Sequence, residues 1–245
     1  METWSEDDSD LFLEYGRAFT PEWESLRSMF VRLIPPLPAG GATVCVEIGA
    51  GSGWLSEAIL LHDDRAHVIA LDGSRAMLAA TADRLARHKD RLEARHFDLT
   101  DLHWLDSLPA NVHAVVSSLA LHHLDDPQKR TVYAGLFEKI APGGALLIAD
   151  LVQPLNPVEQ AAFADAWDDA VKRQSLDLFG DGRAYDAFCS ARWNYYRYPD
   201  PVDKPARLPD MLHWLQASGF EDVDVFWEHA GHVLVGGYKK ASASH

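Results

Sequence analysis

Cysteine is almost missing from this chain of 245 residues: only Cys45 and Cys189 are present. So few thiols exclude a disulfide-built scaffold and fit a reducing compartment; Cys45, inside an apolar run, reads as a small core residue. No stretch approaches the ~20 consecutive apolar residues of a membrane helix. The start, METWSEDDSD, is acidic, where a secretory signal has a basic start and an apolar block, so a cytoplasmic protein with no membrane contact is expected. Basic side chains are also scarce: 22 against 37 acidic ones, a formal charge of −15. Such a surface repels phosphate backbones, and no Lys/Arg cluster offsets it, which disfavours nucleic acid as a partner. Repeats and low-complexity blocks are absent too. The apolar fraction, 47%, is ample for the core of one large domain, with or without an insertion.

What is present is an alternation. Residues 1–40 pattern as a helical cap, DSDLFLEYGRAF and then TPEWESLRSMFVRLI, with Thr20 as N-cap and Pro21 at the first helical position, ended by the rigid PPLPAGG. From 41 to 152, apolar strand-like runs (42–49, 66–72, 92–98, 112–121, 144–152) alternate with helical spacing (52–63, 74–88 capped by Ser74, 127–140). Near-continuous apolar strands separated by helices mean an α/β fold, a parallel sheet with helices on both faces. Residues 153–206 show no strand and read as a helical insertion or lid. Residues 207–240 give a last helix closed by Gly219, then the alternating Val223, Val225, Trp227 and Val233, Val235 around EHAG, an antiparallel hairpin completing the sheet. Residues 241–245 read as a frayed tail.

The most informative stretch is VEIGAGSGWLS, Val46 to Ser56. A dinucleotide fingerprint needs its third glycine at position 54, which is Trp54; the third glycine is Gly53. No Lys-Ser/Thr pair makes a phosphate loop. Glu47 at the end of the first strand opposes a pyrophosphate and suits a cation, while Asp72, ending the second strand 19 residues after Gly53, is placed to hold two ribose hydroxyls. A ribose without pyrophosphate, joined to a cation, describes S-adenosylmethionine.

With Glu47-x-Gly49-x-Gly51-x-Gly53, Asp72, Asp98-Leu99, VVSSLALHHLDD (115–126) and LFEKIAPGGALLIAD (136–150) in that order, the chain resembles the class I S-adenosylmethionine-dependent methyltransferases over about residues 40–240. FLEYGRAF and GFEDVDVFW are similar to the small-molecule type within that class. The resemblance implies a seven-stranded, mostly parallel sheet of order 3-2-1-4-5-7-6 with strand 7 antiparallel, and S-adenosylmethionine as cofactor, S-adenosylhomocysteine as product. It implies a cofactor site of Tyr15, Glu47, the backbone of Gly49, Ala50 and Gly51, the ribose ligand Asp72, Gly73 and Met77 near the adenine, Asp98 on its amino group, Leu99 over the ring, and the Ser117 carbonyl on the ammonium. Gly53 and Met77 read equally as packing positions, and Asp98 as a turn cap.

Methyl transfer from a sulfonium needs positioning first, and a base only if the acceptor must lose a proton. The acceptor pocket is expected to draw on Phe19 (with Tyr15 beside it), His122, Asp150, Gln153, Arg192, Trp193, Tyr195, Tyr196, Arg197 and Trp227, with His229 at its border. His122 is the candidate base, since imidazole titrates near neutrality; His122-His123 reads equally as a structural turn, and RWNYYR as either a lid over substrate or packing. Arg192 and Arg197, five apart, do not make a shared anion clamp. No metal is expected. The functional expectation is methylation of a small molecule on O, N or C. The alternatives are an enzyme that modifies the cofactor itself, of the carboxylating kind linked to tRNA modification, and a non-catalytic S-adenosylmethionine-binding module. Oligomeric state and acceptor identity are not encoded in any motif.

Overall fold

In the computed structural model, the described residues are 6–37 and 43–241. Residues 38–41 of the expected rigid connection and 242–245 of the expected tail lie outside them. Two helices open the chain, α1 (Glu6–Phe19) and α2 (Trp23–Leu33). Then follow β1 (Thr43–Ile48), α3 (Trp54–His62), β2 (Ala66–Asp72), α4 (Arg75–Arg84), β3 (Leu92–His96), β4 (Val112–Ser118), α5 (Asp126–Lys139) and β5 (Ile140–Leu151). The helices α6 (Pro157–Phe179) and α7 (Arg183–Ser190) form the insertion, and α8 (Leu208–Ala217), β6 (Glu221–His229) and β7 (His232–Tyr238) finish the chain.

The sheet has seven strands in the order β3-β2-β1-β4-β5-β7-β6. The first five pair in parallel, while β7 is antiparallel to both β5 and β6. Period-two side-chain alternation divides the apolar strands between two cores. Val46, Ile48, Val115 and Ile148 face α5 and α8; Cys45, Ala114, Leu147 and Ala149 face α2 and α3. Cys45 is the core residue expected, its thiol pushed up to about 12 by burial. The final hairpin turns on Ala230 and Gly231, both with positive φ (51° and 75°), the backbone of a two-residue turn matched to strand twist.

Several boundaries differ from the pattern. The third strand ends at His96, so Asp98 lies beyond it, and residues 121–123 form a 3-10 turn rather than strand. The second helix starts at Trp23, not at Pro21, and Thr20 does not cap it. Thr20 is buried in the α1–α2 corner, and Glu22, in the left-handed region at φ 50°, takes the cap position. That corner is closed from outside the helix: Gln174 of α6 accepts from the Glu22 N–H (2.7 Å) and donates to the carbonyls of Ala18 (2.8 Å) and Thr20 (2.9 Å). Ser74 does cap α4, accepting from the Met77 N–H at 3.2 Å.

A third apolar cluster joins α1 to the insertion through Phe19, Trp167, Phe188, Tyr196 and Leu151. The insertion is pinched at its base by a parallel bridge between Val152 and Ala206. Tyr196 pins it there: its hydroxyl donates to the Gly231 carbonyl (2.6 Å), with the Val152 carbonyl 3.0 Å away, and accepts from the Val152 N–H (3.3 Å). Tyr196→Phe keeps the ring and removes only this junction. It should lower stability in urea unfolding by about 1–3 kcal/mol, the usual cost of stranding buried hydrogen-bonding groups; a change within error would show that the anchoring lies in the ring.

Candidate functional site

The glycine strip forms a tight turn off β1. The N–H groups of Gly49 and Ala50 both reach the Leu71 carbonyl (2.9 Å each), and the Gly53 N–H bonds the Ala50 carbonyl. All three glycines have positive φ (71°, 52° and 79°). Their close neighbours differ. A Cβ at Gly49 would stand 2.4 Å from that of Ala120, and one at Gly53 would stand 2.9 Å from Thr81, so those two allow packing against the β4 end and α4. Gly51 meets nothing nearer than the Phe12 ring, at 3.8 Å, an ordinary contact, and is the least crowded of the three.

Asp72 ends β2 half-buried. One carboxylate oxygen accepts from the Gly51 N–H and the other from the Ser74 N–H, each at 2.8 Å, which ties the turn to the start of α4. Gly73 beside it is exposed. Glu47 fares differently. Two residues short of the turn, it points to the α3 side, is 2% exposed and accepts from the Ser56 hydroxyl. Burial raises its carboxyl to about 8, the Ser56 bonds opposing. Against the expectation of two carboxylates beside the ledge, Glu47 is buried on the α3 side against Ser56, and Asp72 is the carboxylate bonded to the glycine turn.

The remaining cofactor candidates divide. Asp98 is exposed and accepts from the Thr100 N–H (2.8 Å) and hydroxyl (2.7 Å) through a single oxygen; those bonds hold its carboxyl below the usual range. Leu99 is half-buried against the core. Met77 is buried in the first turn of α4 and Ala50 in the α3-side core, both packing positions. Ser117 is wholly buried, its hydroxyl on the Ile48 carbonyl at 3.0 Å; the first half-buried residue of β4 is Ser118. Tyr15 leans on Phe179 and Phe19. The α1 ring nearest the ledge is Phe12, stacked on Trp193 at 6.0 Å.

Beside the ledge lies a cleft of about 220 Å³ lined by Phe12, Arg17, Thr20, Ser52 and Trp54 among others. The Arg17 guanidinium lies over the Trp54 ring at 4.7 Å and pairs with Glu24, while its buried Nε has no hydrogen-bond partner. Asp72, the glycine turn and the Arg17 guanidinium are the kinds of group that S-adenosylmethionine, with hydroxyls, a cation and a carboxylate in one molecule, would call for. The residues present fit that group.

At the ends of β4 and β5 a polar cluster forms. His122 Nδ1 lies 2.5 Å from buried Asp150 Oδ1, and Nε2 lies 3.5 Å from Asp203 Oδ1; His123 Nδ1 lies 3.1 Å from the same Asp203 oxygen. Burial disfavours charge on His122, but Asp150 and Asp203 outweigh it and hold the imidazole above its ordinary range. Burial and the neighbouring His122 push His123 down. Asp150 orients the His122 ring from behind, while Nε2 has only the 3.5 Å contact with Asp203 Oδ1; this arrangement neither engages nor removes the expected role as a base. His232, also buried, is pushed down to about 4 by desolvation; its Nδ1 lies 2.9 Å from the Ala230 carbonyl and its Nε2 has no partner.

Other pocket expectations fail for identifiable reasons. Arg197 points outward to Asp165 (2.6 Å) and Asp168 (2.5 Å) of α6, and Arg192 is exposed in a left-handed turn at φ 54°. Phe19 is fully buried, and its carbonyl accepts from the Trp167 indole N–H at 2.7 Å. Tyr196 serves the junction described above. Gln153 is exposed; its backbone N–H bonds the Ala206 carbonyl. Trp227 packs on the α3-side core from the edge strand, with His229 near it. Trp193 and Tyr195 remain half-buried in the roof. Phe12, Arg17 and His123 lie in the quoted stretches FLEYGRAF and VVSSLALHHLDD but were not assigned to the site, and Asp203 and His232 were missed, lying in no motif.

A methyltransferase-domain family model matches residues 45–144. The ubiquinone/menaquinone biosynthesis C-methyltransferase of Syntrophotalea carbinolica is 27% identical over 189 residues, 76% of this chain and 72% of that protein. The 3-hydroxy-5-methyl-1-naphthoate 3-O-methyltransferase of Streptomyces sahachiroi is 30% identical over 122 residues, 50% of this chain but only 31% of the relative. An O-methyltransferase family 2 protein from Planctomyces limnophilus, solved with apigenin, shares the fold at TM-score 0.61 and 20% identity, over 97% of this chain and 62% of that one. The chain thus spans less than two thirds of that solved protein.

Two outcomes follow from the geometry. Asp72→Ala should weaken S-adenosylhomocysteine binding in calorimetry by ~1.5–3 kcal/mol, roughly 10- to 150-fold, because a charged partner is lost; unchanged affinity would remove Asp72 from the site. Glu47, with a folded value of about 8 against 4.5, keeps its proton on folding, so it costs stability progressively as pH rises from about 4.5 to about 8. Glu47→Gln should abolish that slope, gaining on the wild type as pH is raised through this window in urea unfolding; parallel pH profiles would mean that Glu47 is ionised in the fold.

Proposed function

We propose that this chain, whose residues 45–144 match a methyltransferase-domain family, is a class I S-adenosylmethionine-dependent methyltransferase that transfers a methyl group to a small organic molecule. The observation that carries the small-molecule reading is the roof. Phe12 of α1 stands over Gly51, Trp193 of the insertion stacks on Phe12, and Phe19 packs against Trp193 at 5.2 Å, so the chain's own aromatic side chains cover the ledge. A polymer needs an open edge; a small acceptor can be enclosed. The formal charge of −15 further disfavours a polyanion.

Bound S-adenosylmethionine supplies an electrophilic methyl on a sulfonium. Asp72 takes the ribose hydroxyls while keeping its two backbone bonds, since each carboxylate oxygen accepts more than one donor. Arg17, which lines the cleft beside Trp54, would be the cation available to the carboxylate. The aromatic roof excludes water and holds the acceptor in line, where positioning supplies most of the rate. The naphthoate, quinone and flavonoid named for the relatives are planar aromatics, which suits a chamber walled by Phe12, Trp193 and Tyr195. We place this protein's acceptor in that chemical class, with oxygen or carbon as the methylated atom, acting in the cytoplasm; among the described residues no helix is long and apolar enough to cross a membrane.

The test is turnover. Purified protein with S-adenosylmethionine and a panel of phenols, naphthols, quinols, aliphatic amines and RNA should release S-adenosylhomocysteine only with members of the aromatic hydroxyl group. Turnover on RNA alone, or a carboxylated cofactor adduct in the mass spectrum, would reject the reading.

A further inference from the structure

The polar cluster beyond β4 has a feature that methyl transfer does not use. His122 Nε2, His123 Nδ1 and Asp203 Oδ1 come from two segments 80 residues apart in sequence, yet all lie within 4.8 Å of one another. We propose that these three side chains bind one divalent transition-metal ion.

The spacing is that of a coordination shell. Ligands about 2.0–2.1 Å from a tetrahedral centre are about 3.3 Å apart; the two nitrogens lie 3.5 and 3.1 Å from the shared oxygen of Asp203. The other nitrogen of His122 is held by Asp150, 2% exposed, at 2.5 Å. A carboxylate behind a ligating histidine fixes the ring and raises its donor strength. Asp150 is itself fixed, accepting from the Leu151 N–H at 2.9 Å.

The two segments are also joined without a metal. The Lys204 N–H donates to the His122 carbonyl at 2.7 Å, the Lys204 ammonium to the His123 carbonyl at 3.2 Å, and Lys129 to the Lys204 carbonyl. The donor atoms therefore stand together before an ion arrives. Two imidazoles and one carboxylate select zinc, cobalt or nickel over magnesium and calcium, which prefer all-oxygen shells. Three protein ligands leave a coordination position open. Lys129 and Lys204, with their ammonium groups near the cluster, oppose the ion's charge; Asp126, 3.7 Å from Lys129, offsets part of that.

The experiment needs neither cofactor nor acceptor, so it stands apart from the methyl-transfer reading. Chelator-stripped protein is titrated with cobalt(II) under visible absorption and with zinc(II) in a calorimeter. One equivalent should bind, with cobalt bands at the intensity of four- or five-coordination. Asp203→Asn and His123→Gln should each weaken zinc binding at least 100-fold, and Asp150→Asn 10- to 100-fold, with near-ultraviolet circular dichroism unchanged. A wild type that takes up no cobalt, or only gives the weak bands of the six-coordinate aquo ion, overturns the proposal, and that measurement decides even if a variant misfolds. Stoichiometric zinc binding that survives both Asp203→Asn and His123→Gln overturns it equally.

Discussion

The two oxygens of Asp72 hold the site's geometry together. One fixes the Gly51 N–H, the other the Ser74 N–H, so a single carboxylate sets the distance between the glycine turn and the first turn of α4. Around that point the remaining polar groups of the turn are answered from α4: the Thr81 hydroxyl donates to the Gly51 carbonyl at 2.7 Å, and the Arg84 Nε to the Ser52 carbonyl at 2.8 Å. A ledge whose own hydrogen bonds are met loses little freedom when a ligand arrives, and preorganisation of this kind spares affinity. The parallel register delivers the ledge, Asp72 and the β4 end to one edge of the sheet, where ligands bind in open α/β folds.

The roof over that edge is fastened at points remote from the chemistry. Gln174 of α6 locks the α1–α2 corner, Tyr196 rivets the insertion to the β5–β7 junction, and Ser9 of α1 lies 3.0 Å from Ser74. Between these anchors the contacts are aromatic faces and edges, Phe12 on Trp193 and Tyr15 on Phe179. Ring contacts of this type carry about 0.5–1.5 kcal/mol each beyond the area they bury. They can be broken one at a time. The α1 side of the roof is thus held by ring contacts between hydrogen-bonded fixed points.

The strands and helices were legible because each signal is local, an apolar run, a glycine turn, a capping serine; the order of the strands came with the family resemblance. The final hairpin was equally readable in EHAG. What could not be read was which way a polar side chain points. Glu47 and Asp72 both end apolar strands, but Glu47 stands on the pleat that faces α3 and meets Ser56, while Asp72 is the last residue of its strand and reaches the open edge. His122 and Asp150 both carried recognisable signals; Asp203, 81 residues from His122, carried none. The same holds for RWNYYR, in which one tyrosine is a rivet, one arginine an ion-pair partner on α6, and the tryptophan a roof tile.

The scarcity of cations gives these placements a common logic. Among the described residues most arginines of the cap and insertion pair with acidic groups outside the ledge: Arg17 with Glu24, Arg173 with Glu22, Arg183 with Asp181, Arg197 with Asp165 and Asp168. They knit helices together and leave the acidic surface negative. At physiological salt that surface field decays over about 8 Å, so it steers polyanions away without reaching far into a covered cleft. Arg17 is the exception in this group, since it also lines the cleft over Trp54 and its buried Nε has no hydrogen-bond partner.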